Sequence, residues 1–503
     1  MRNLKIKIKH MKSFLSKYFL SAASILCTAS FIHAQTQLGS SINGETNYDN
    51  SGFTVSMPDA NTLAIGAPYN SGTASSAGHA RVFTWNGNEW EQKGSDIDAE
   101  AQQDFFGWSV SMPDANTIGI GAPHNQEVGT TSGHVRIFEW SGSEWTQKGI
   151  DIDAEAQYDE FGYSVSMPDA NTVAIGGPYN FGGGIFAGHA RIYSWDGVAW
   201  VQKGMDLDAE ASSDGFGWAV SMPDANTVAI GAPSNDGGGS SAGHVRVFDW
   251  NDSNWVQRGV DLDGEASGDN FGKAISMVDA NTLAIGAALN DGGAEDAGQV
   301  RVFEWSGTEW VQKGADIDGE FAGDFFGTAV SMVDVNTVAI SAPENDENGN
   351  NTGKVSVFSW NGSAWVEQAS SISGFFQLDR SGRSISMPDV STLAIGTPDN
   401  DGGGTNRGQV KVYGNLISSI IESSLPKITA FPNPTSDVLN LDLGETISDL
   451  NVKVINITGQ EILTQNYQST DRLSIQFDGP AGLYFVSVSS GNSLLASVKV
   501  QKK

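Results

Sequence analysis

Between residues 36 and 414, short runs of alternating apolar and small polar residues are each closed by Gly, Pro, Asn or Asp. A two-residue period over so short a run marks a half-buried strand, and the closing residues are those of tight turns. In one stretch this predicts four strands, A to D, at Phe106–Met112, Thr117–Ala122, His134–Trp140 and Glu144–Ile150. Pro113-Asp114-Ala115-Asn116 turns A into B, and Ser141-Gly142 turns C into D. A and B carry small residues (Ser109, Ser111, Gly119, Gly121), whereas C and D carry Phe138, Trp140 and Trp145. Bulk therefore rises along the unit, as it must where an inner strand crowds an axis and outer strands have room to fill.

The unit repeats without slippage. Met57, Met112, Met167, Met222, Met277, Met332 and Met387 follow one another at intervals of 55 residues, giving seven copies. Four strands in a unit of that length make a β-propeller blade, and seven blades make a ring. Gln37–Ile42 is the counterpart of Gln92–Ile97 one period earlier, an orphan strand D. Gln409–Tyr413 is a strand C with no Trp-bearing strand D after it. The N-terminal strand is thus expected to complete the last blade, which removes the sheet edge that would invite aggregation.

The chain has 503 residues and a formal net charge of −31. So acidic a chain repels phosphate backbones, which argues against nucleic-acid partners. Residues 1–34 stand apart: Arg2, Lys5, Lys7, Lys9, Lys12 and Lys17 precede an apolar run from Phe19 to Ile32, the pattern of a secretory signal cut after Ala34, with Met1 or Met11 as its start. Its removal takes the net charge from −31 to −37 and removes Cys27, the single cysteine. Leu26 is not the small residue a lipoprotein cleavage site takes, so no thiol, disulfide or lipid anchor is expected in the mature chain. No later apolar stretch approaches the ~18 residues of a membrane helix, and a monomer without a transmembrane anchor is expected.

Phe106-Gly107, Gly121-Ala122-Pro123 and Gly133-His134-Val135-Arg136-Ile137, with their counterparts, resemble the FG-GAP repeat of the integrin alpha-chain propeller and of bacterial integrin-like propellers, across residues 36–414. The resemblance implies a ring closed by an N-terminal strand, with ligand bound on the face of the D–A and B–C loops. The integrin calcium loop, Asp-x-Asp-x-Asp-Gly in the A–B hairpin, has no match here, so its calcium sites are not carried over. After a linker at 415–426, residues 427–503 lack Trp and hold seven acids and six bases. Their order, Phe431-Pro432-Asn433-Pro434, Val438–Leu443, Val452–Ile457 with Thr458-Gly459, Gly482–Val488 and Val498–Lys503, resembles the C-terminal sorting domain of the type IX secretion system. That resemblance implies a small β-sandwich that engages the secretion machinery and delivers the chain to the outer cell surface or the medium.

Five D–A connections repeat an acidic quartet: Asp96, Asp98, Glu100 and Asp104; Asp151, Asp153, Glu155 and Asp159; Asp206, Asp208, Glu210 and Asp214; Asp261, Asp263, Glu265 and Asp269; Asp316, Asp318, Glu320 and Asp324. In an extended Asp-x-Asp-x-Glu run the carboxylates share one side at roughly 6.5–7 Å spacing. Calcium, a hard oxygen-seeking cation, would relieve their repulsion. The alternative is a solvated loop whose acids meet Lys93, Lys148 or Arg136. On the same face the B–C loops vary while keeping their length, and variable loops on a rigid scaffold are where recognition sits. Tyr69, His124, Tyr179, Phe181, Ile185 and Phe186 are the candidate ligand-binding residues there.

His79, His134, His189 and His244 recur at the repeat spacing, spread around the ring, and read as packing residues. Twelve of the 14 Trp form blade pairs such as Trp140/Trp145, while Trp108 and Trp218 break the repeat and are expected to face the channel. No nucleophile elbow, zinc-protease motif or phosphate loop is present. The reading is an all-β, seven-bladed propeller (35–414) with a sorting domain (427–503). It acts as a secreted or cell-surface, non-catalytic binding or adhesion protein for an extracellular protein or polysaccharide. A glycan-acting extracellular hydrolase and a structural surface or matrix protein are the alternatives.

Overall fold

A computed structural model describes residues 35–368, 371–416, 429–435, 438–456, 461–490 and 493–503. The predicted signal segment, most of the predicted linker and the Thr458-Gly459 turn lie outside them. The chain divides into two units on either side of Ser418/Ser419, each treated by itself. No helix occurs among the described residues.

The first unit is a ring of seven antiparallel blades. In the second blade strand A is Ser109–Asp114, B is Thr117–Ala122, C is His134–Trp140, and D is broken into Trp145–Gln147 and Ile152–Asp153, both paired with C. Strand A thus begins at Ser109 rather than the expected Phe106, because Phe106 bridges instead to Gly78 of the preceding blade. Strand D breaks at Gly149, whose φ is +82° and where a Cβ would meet the Trp195 ring of the next blade at 2.8 Å. Thr36–Gln37 and Ile42–Asn43 pair with Gln409–Gly414, so the N-terminal strand completes the seventh blade as expected.

Adjacent blades are joined near the axis by a device the motif Ser-Val-Ser-Met encodes. The A–B ladder shifts register between Ser111 and Asp114, which releases the Met112 N–H from its own sheet. That N–H donates to Ser56 Oγ of the preceding blade at 3.0 Å. Met167, Met222, Met277, Met332 and Met387 repeat the bond to Ser111, Ser166, Ser221, Ser276 and Ser331 at 2.9–3.1 Å. Met57 closes the circle on Ser386 at 2.9 Å. Strand B is buried along its whole length, and Gly121 lets the Gly162 backbone come so close that a Cβ would lie 2.1 Å from its carbonyl oxygen. At the rim, Trp145 Nε1 donates to Lys93 O of the preceding blade at 2.8 Å, while Trp140 and Trp145 sit 5.4 Å apart beneath the Lys93 ammonium. The Trp pairs are blade-packing residues, as expected.

The second unit is one antiparallel sheet in which Val438–Asn456 is central and pairs with Thr429–Phe431, Glu461–Gln476 and Gly482–Ser490. Its two long strands shift register between Asp442 and Ile447, and residues from both halves, including Leu439, Leu441, Val452 and Val486, enclose one core.

Replacing Ser111 by Ala leaves the Met167 N–H without its acceptor between two blades. The expected loss is about 1–2 kcal/mol, read as a lowered melting midpoint. An unchanged midpoint would show that these bonds do not hold the ring.

Candidate functional site

Because the blades repeat so closely, positions that differ between them stand out against the scaffold. The residue after each Phe-Gly, or its equivalent, is Phe53, Trp108, Tyr163, Trp218, Lys273, Thr328 and Arg383 around the ring. All seven line a central cavity of about 660 Å³. The preceding glycine sets them there: Gly107 has φ +89°, and a Cβ on it would lie 2.3 Å from His79 O. A side chain cannot occupy that point, so the chain swings and the next residue enters the channel.

Four consecutive blades supply aromatics that form an unbroken arc. The Arg383 guanidinium lies 4.8 Å from the Phe53 ring centre, Phe53 is 4.6 Å from Trp108, Trp108 5.5 Å from Tyr163, and Tyr163 4.7 Å from Trp218. The remaining sector holds Lys273 and Thr328. Neither Lys273 nor Arg383 makes a side-chain hydrogen bond or ion pair with a described residue. Burial pulls both below their ordinary pKa, and for Lys273 repulsion from Arg383 adds to it. Arg383 is open to water along the channel although protein surrounds it, so the desolvation is partial.

Two further rings widen the site toward the D–A and B–C loops. One consists of Asn50, Phe105, Glu160, Gly215, Asn270, Phe325 and Arg380, all with φ between 50° and 67°. The other begins the B–C loops and includes the expected Tyr69, His124 and Tyr179. Tyr69 is 5.0 Å from Phe105 and 6.3 Å from Phe53, and His124 is 4.4 Å from Phe105. Tyr179 is 6.4 Å from both Tyr163 and Trp218 and 6.0 Å from Phe186, which is 5.1 Å from Phe181. Five of the six candidate ligand-binding residues therefore join one aromatic patch continuous with the channel. Ile185 does not join its ring contacts and points to solvent, 64% exposed. In the opposite sector Arg380 is taken up by Glu344 at 2.8 Å and Asp399 at 3.3 Å.

A side cavity of about 410 Å³ opens beside the arc, lined by Tyr158, Glu160, Tyr179, Phe186 and Trp218 among others. Burial pushes Glu160 up to about 7, and His124, with Nε2 3.7 Å from Glu160 Oε1, is pulled down by the same cause. Burial also raises Tyr69, Tyr163 and Tyr179.

The four acids of a quartet perform separate tasks. The first accepts from a strand-D glutamine: Asp96 from Gln92, Asp151 from Gln147, Asp206 from Gln202, Asp261 from Gln257 and Asp316 from Gln312, at 2.6–2.7 Å. The second (Asp98, Asp153, Asp208, Asp263, Asp318) pairs in strand opposite the start of strand C. The glutamate meets an arginine of the next blade in Glu100–Arg136, Glu155–Arg191, Glu210–Arg246 and Glu265–Arg301. The last is buried; Asp104, Asp159, Asp214 and Asp269 cap a loop N–H at 3.0 Å, and Asp324 accepts from Asn345 at 2.6 Å. Among the described residues, no group of three or more metal-capable side chains draws two acids from one quartet.

Phe53, Phe105, Tyr163, Glu160, Lys273 and Arg383 escape motif reading, whereas Trp108 and Trp218 face the channel as expected. The signal for the others is the pair of columns formed by reading every 55th residue on either side of Phe-Gly.

Comparison with known families gives two matches: the FG-GAP repeat at residues 207–248 and 315–358, and the secretion system C-terminal sorting domain at 429–503. No curated protein matches the chain. Among solved structures, PorZ, a bacterial surface component of the type-IX secretion system of Porphyromonas gingivalis, is 13% identical with a TM-score of 0.35, over 89% of this chain and 65% of that one. The β-propeller domain of the Trilobed protease from Pyrococcus furiosus is 10% identical with a TM-score of 0.37, over 68% and 90%. An acylaminoacyl peptidase from Pyrococcus horikoshii is 12% identical with a TM-score of 0.40, over 80% and 59%. The chain thus spans less than two thirds of the length of the first and third of these, and none of the three bears on its chemistry.

Between about pH 4.5 and 7 the folded chain keeps the Glu160 proton that the unfolded chain loses, so stability falls as pH rises across that window. Glu160→Gln removes the penalty. It is expected to melt above the parent at about pH 8, by roughly 1–2 kcal/mol after allowance for the water that reaches the group, and to match it near pH 4.5. Equal melting at both pH values would show Glu160 to be an ordinary carboxylate.

Proposed function

The chain is an FG-GAP-repeat propeller with a C-terminal sorting domain of the type IX system, exported to the cell surface or beyond, and from this premise we propose that it is a non-catalytic binding protein for an extracellular polysaccharide. The observation that carries the reading is the arc of Phe53, Trp108, Tyr163 and Trp218 at one equivalent position of four successive blades. Aromatic faces give a large apolar contact at low entropic cost, and a partly wet cavity keeps their polar edges usable. A row of such faces suits the flat apolar faces of successive sugar rings. Lys273 and Arg383 supply cations for a carboxylate or sulfate group on the glycan. In a chain of net charge −31 two cations left without acidic partners favour such a group locally.

The D–A and B–C loops form the entry, with Tyr69, His124, Tyr179, Phe181 and Phe186 extending the contact outward. On the side of a glycan-acting hydrolase stand Glu160 in the side cavity and the Glu344 and Asp399 carboxylates of the central one, both of which Arg380 holds. Glycoside hydrolysis takes a pair of carboxyl groups flanking the bond, and among the described residues Glu160 is the single carboxyl lining its cavity.

An array of neutral and acidic glycans, with matrix proteins as a second panel, tests the reading on the full chain. Acidic glycans are expected to bind. Trp108→Ala and Trp218→Ala are each expected to weaken binding by about 10–30-fold, the usual cost of truncating a central aromatic anchor. Lys273→Gln with Arg383→Gln should erase the preference for acidic over neutral sugars. Hits confined to proteins, or undiminished by both Trp changes, would refute it.

A further inference from the structure

Strand C opens with a histidine in four blades and with Gln299, Lys354 or Gln409 in the other three. The four imidazoles are sealed from solvent, 0–1% exposed, and each directs Nδ1 toward the first acid of its own quartet at 3.4–3.9 Å. A glutamate from the neighbouring D–A connection completes one imidazole and two carboxylates at each blade junction. At all four junctions the arginine two residues further along strand C stands against the glutamate of that pair, and Arg136 and Arg191 reach the aspartate as well.

The junction of the first two blades is different. There Glu127, from the B–C loop, joins Glu100, His134 and Asp151, and the four groups offer ligand atoms within 4.8 Å of one another. Asp153 Oδ1 lies 4.0 Å from the same His134 Nδ1. Four carboxylates thus face one guanidinium, that of Arg136. Among the described residues, both nitrogens of His134, fully buried, and Asp153 Oδ1 have no hydrogen-bond partner, a state the His189 nitrogens share, and His134 Nδ1 has the Asp151 carboxylate 3.4 Å away.

The ring contains its own control. Glycine takes the Glu127 position in five blades, and the remaining one carries Glu347. In that blade the start of strand C is Lys354, whose Nζ lies 3.5 Å from Glu347 Oε2, and Ser371 and Ser373 replace the two aspartates. Where the loop glutamate recurs, the chain supplies a cation and withdraws two acids. In the second blade it supplies an imidazole and keeps the acids.

We propose that this junction binds one divalent transition-metal ion, Zn²⁺, through His134 Nδ1 and the carboxylates of Glu100, Glu127 and Asp151. An imidazole beside carboxylates favours zinc over calcium or magnesium, which take oxygen. Tetrahedral zinc needs ligand atoms about 3.3 Å apart, and the exposed side chains of Glu100 and Glu127 close that gap by rotation. The Gln147 amide, 2.6 Å from Asp151 Oδ1, holds the carboxylate from behind. The ion ties the second blade's B–C loop, which starts at His124 in the aromatic patch, to the first blade.

The test is calorimetric titration and thermal unfolding of the full chain, stripped of metal, with Zn²⁺ alone and Ca²⁺ alone. One Zn²⁺ per chain is expected, with a raised melting midpoint and a weaker response to Ca²⁺. Glu127→Gly, the residue of five other blades, should weaken zinc by at least about 10-fold, since even outer-shell changes cost that much. His134→Lys should abolish the zinc response while the metal-free midpoint stays at or above that of the parent; His134→Gln, native to two blades, serves if the lysine variant misfolds. Four equivalent zinc ions, none, tighter calcium binding, or unchanged affinity in Glu127→Gly would each overturn the proposal.

Discussion

Inner strands of neighbouring blades approach too closely for bulky side chains to mediate, and they are joined by backbone N–H groups that donate to serine side chains. A register shift in each A–B ladder falls beside the methionine, and a serine hydroxyl of the blade before accepts the methionine N–H, seven times around the axis. An N–H left unpaired in so crowded a place would be costly. This requirement accounts for the small residues of A and B, for glycine where one backbone touches the next, and for the outward gradient of bulk that ends in the tryptophan pairs. It also fixes the register of strands A and B, since a residue added between the serine and the methionine would move the N–H away from its acceptor.

Against so constrained a frame, difference between blades is informative. Positions that bear the ring hardly change, whereas the channel position runs through four aromatics and then lysine, threonine and arginine. The ring is thereby divided into an aromatic sector and a charged one, and a seven-fold scaffold presents a single asymmetric site. The heavy negative charge is largely structural: its carboxylates cap loops, receive glutamine amides and meet arginines across blade junctions. At one of those junctions the balance fails, and that imbalance is what points to a metal.

The architecture was legible because every blade restates the same pattern. Ring closure could be read from Gln37–Ile42, an orphan strand D, together with Gln409–Tyr413, a strand C that lacks one. The interruption of strand D could not, because Gly149 breaks it for the sake of a tryptophan in the next blade. The face proposed for binding, with most of its loop aromatics, was visible as departures from the repeat. Tyr163, Lys273 and Arg383 were not, because each looks ordinary within its own blade and becomes a site only when residues a full period apart are brought to one axis. The acids were harder to read for the opposite reason. Adjacent in sequence, Asp151, Asp153 and Glu155 suggested a shared ligand, yet each faces a different neighbour, and the histidines dismissed as mutually remote each lie beside carboxylates of their own.

Asn43 and Gln409, 366 residues apart, share a hydrogen bond in the closing blade. The first stretch of the propeller to leave a ribosome or an exporter therefore has no partner until almost the last has followed. Joining ends so distant carries an entropic cost and delays folding. Until then the nascent chain carries two unsatisfied borders, and only a nearly complete polypeptide can become a disc.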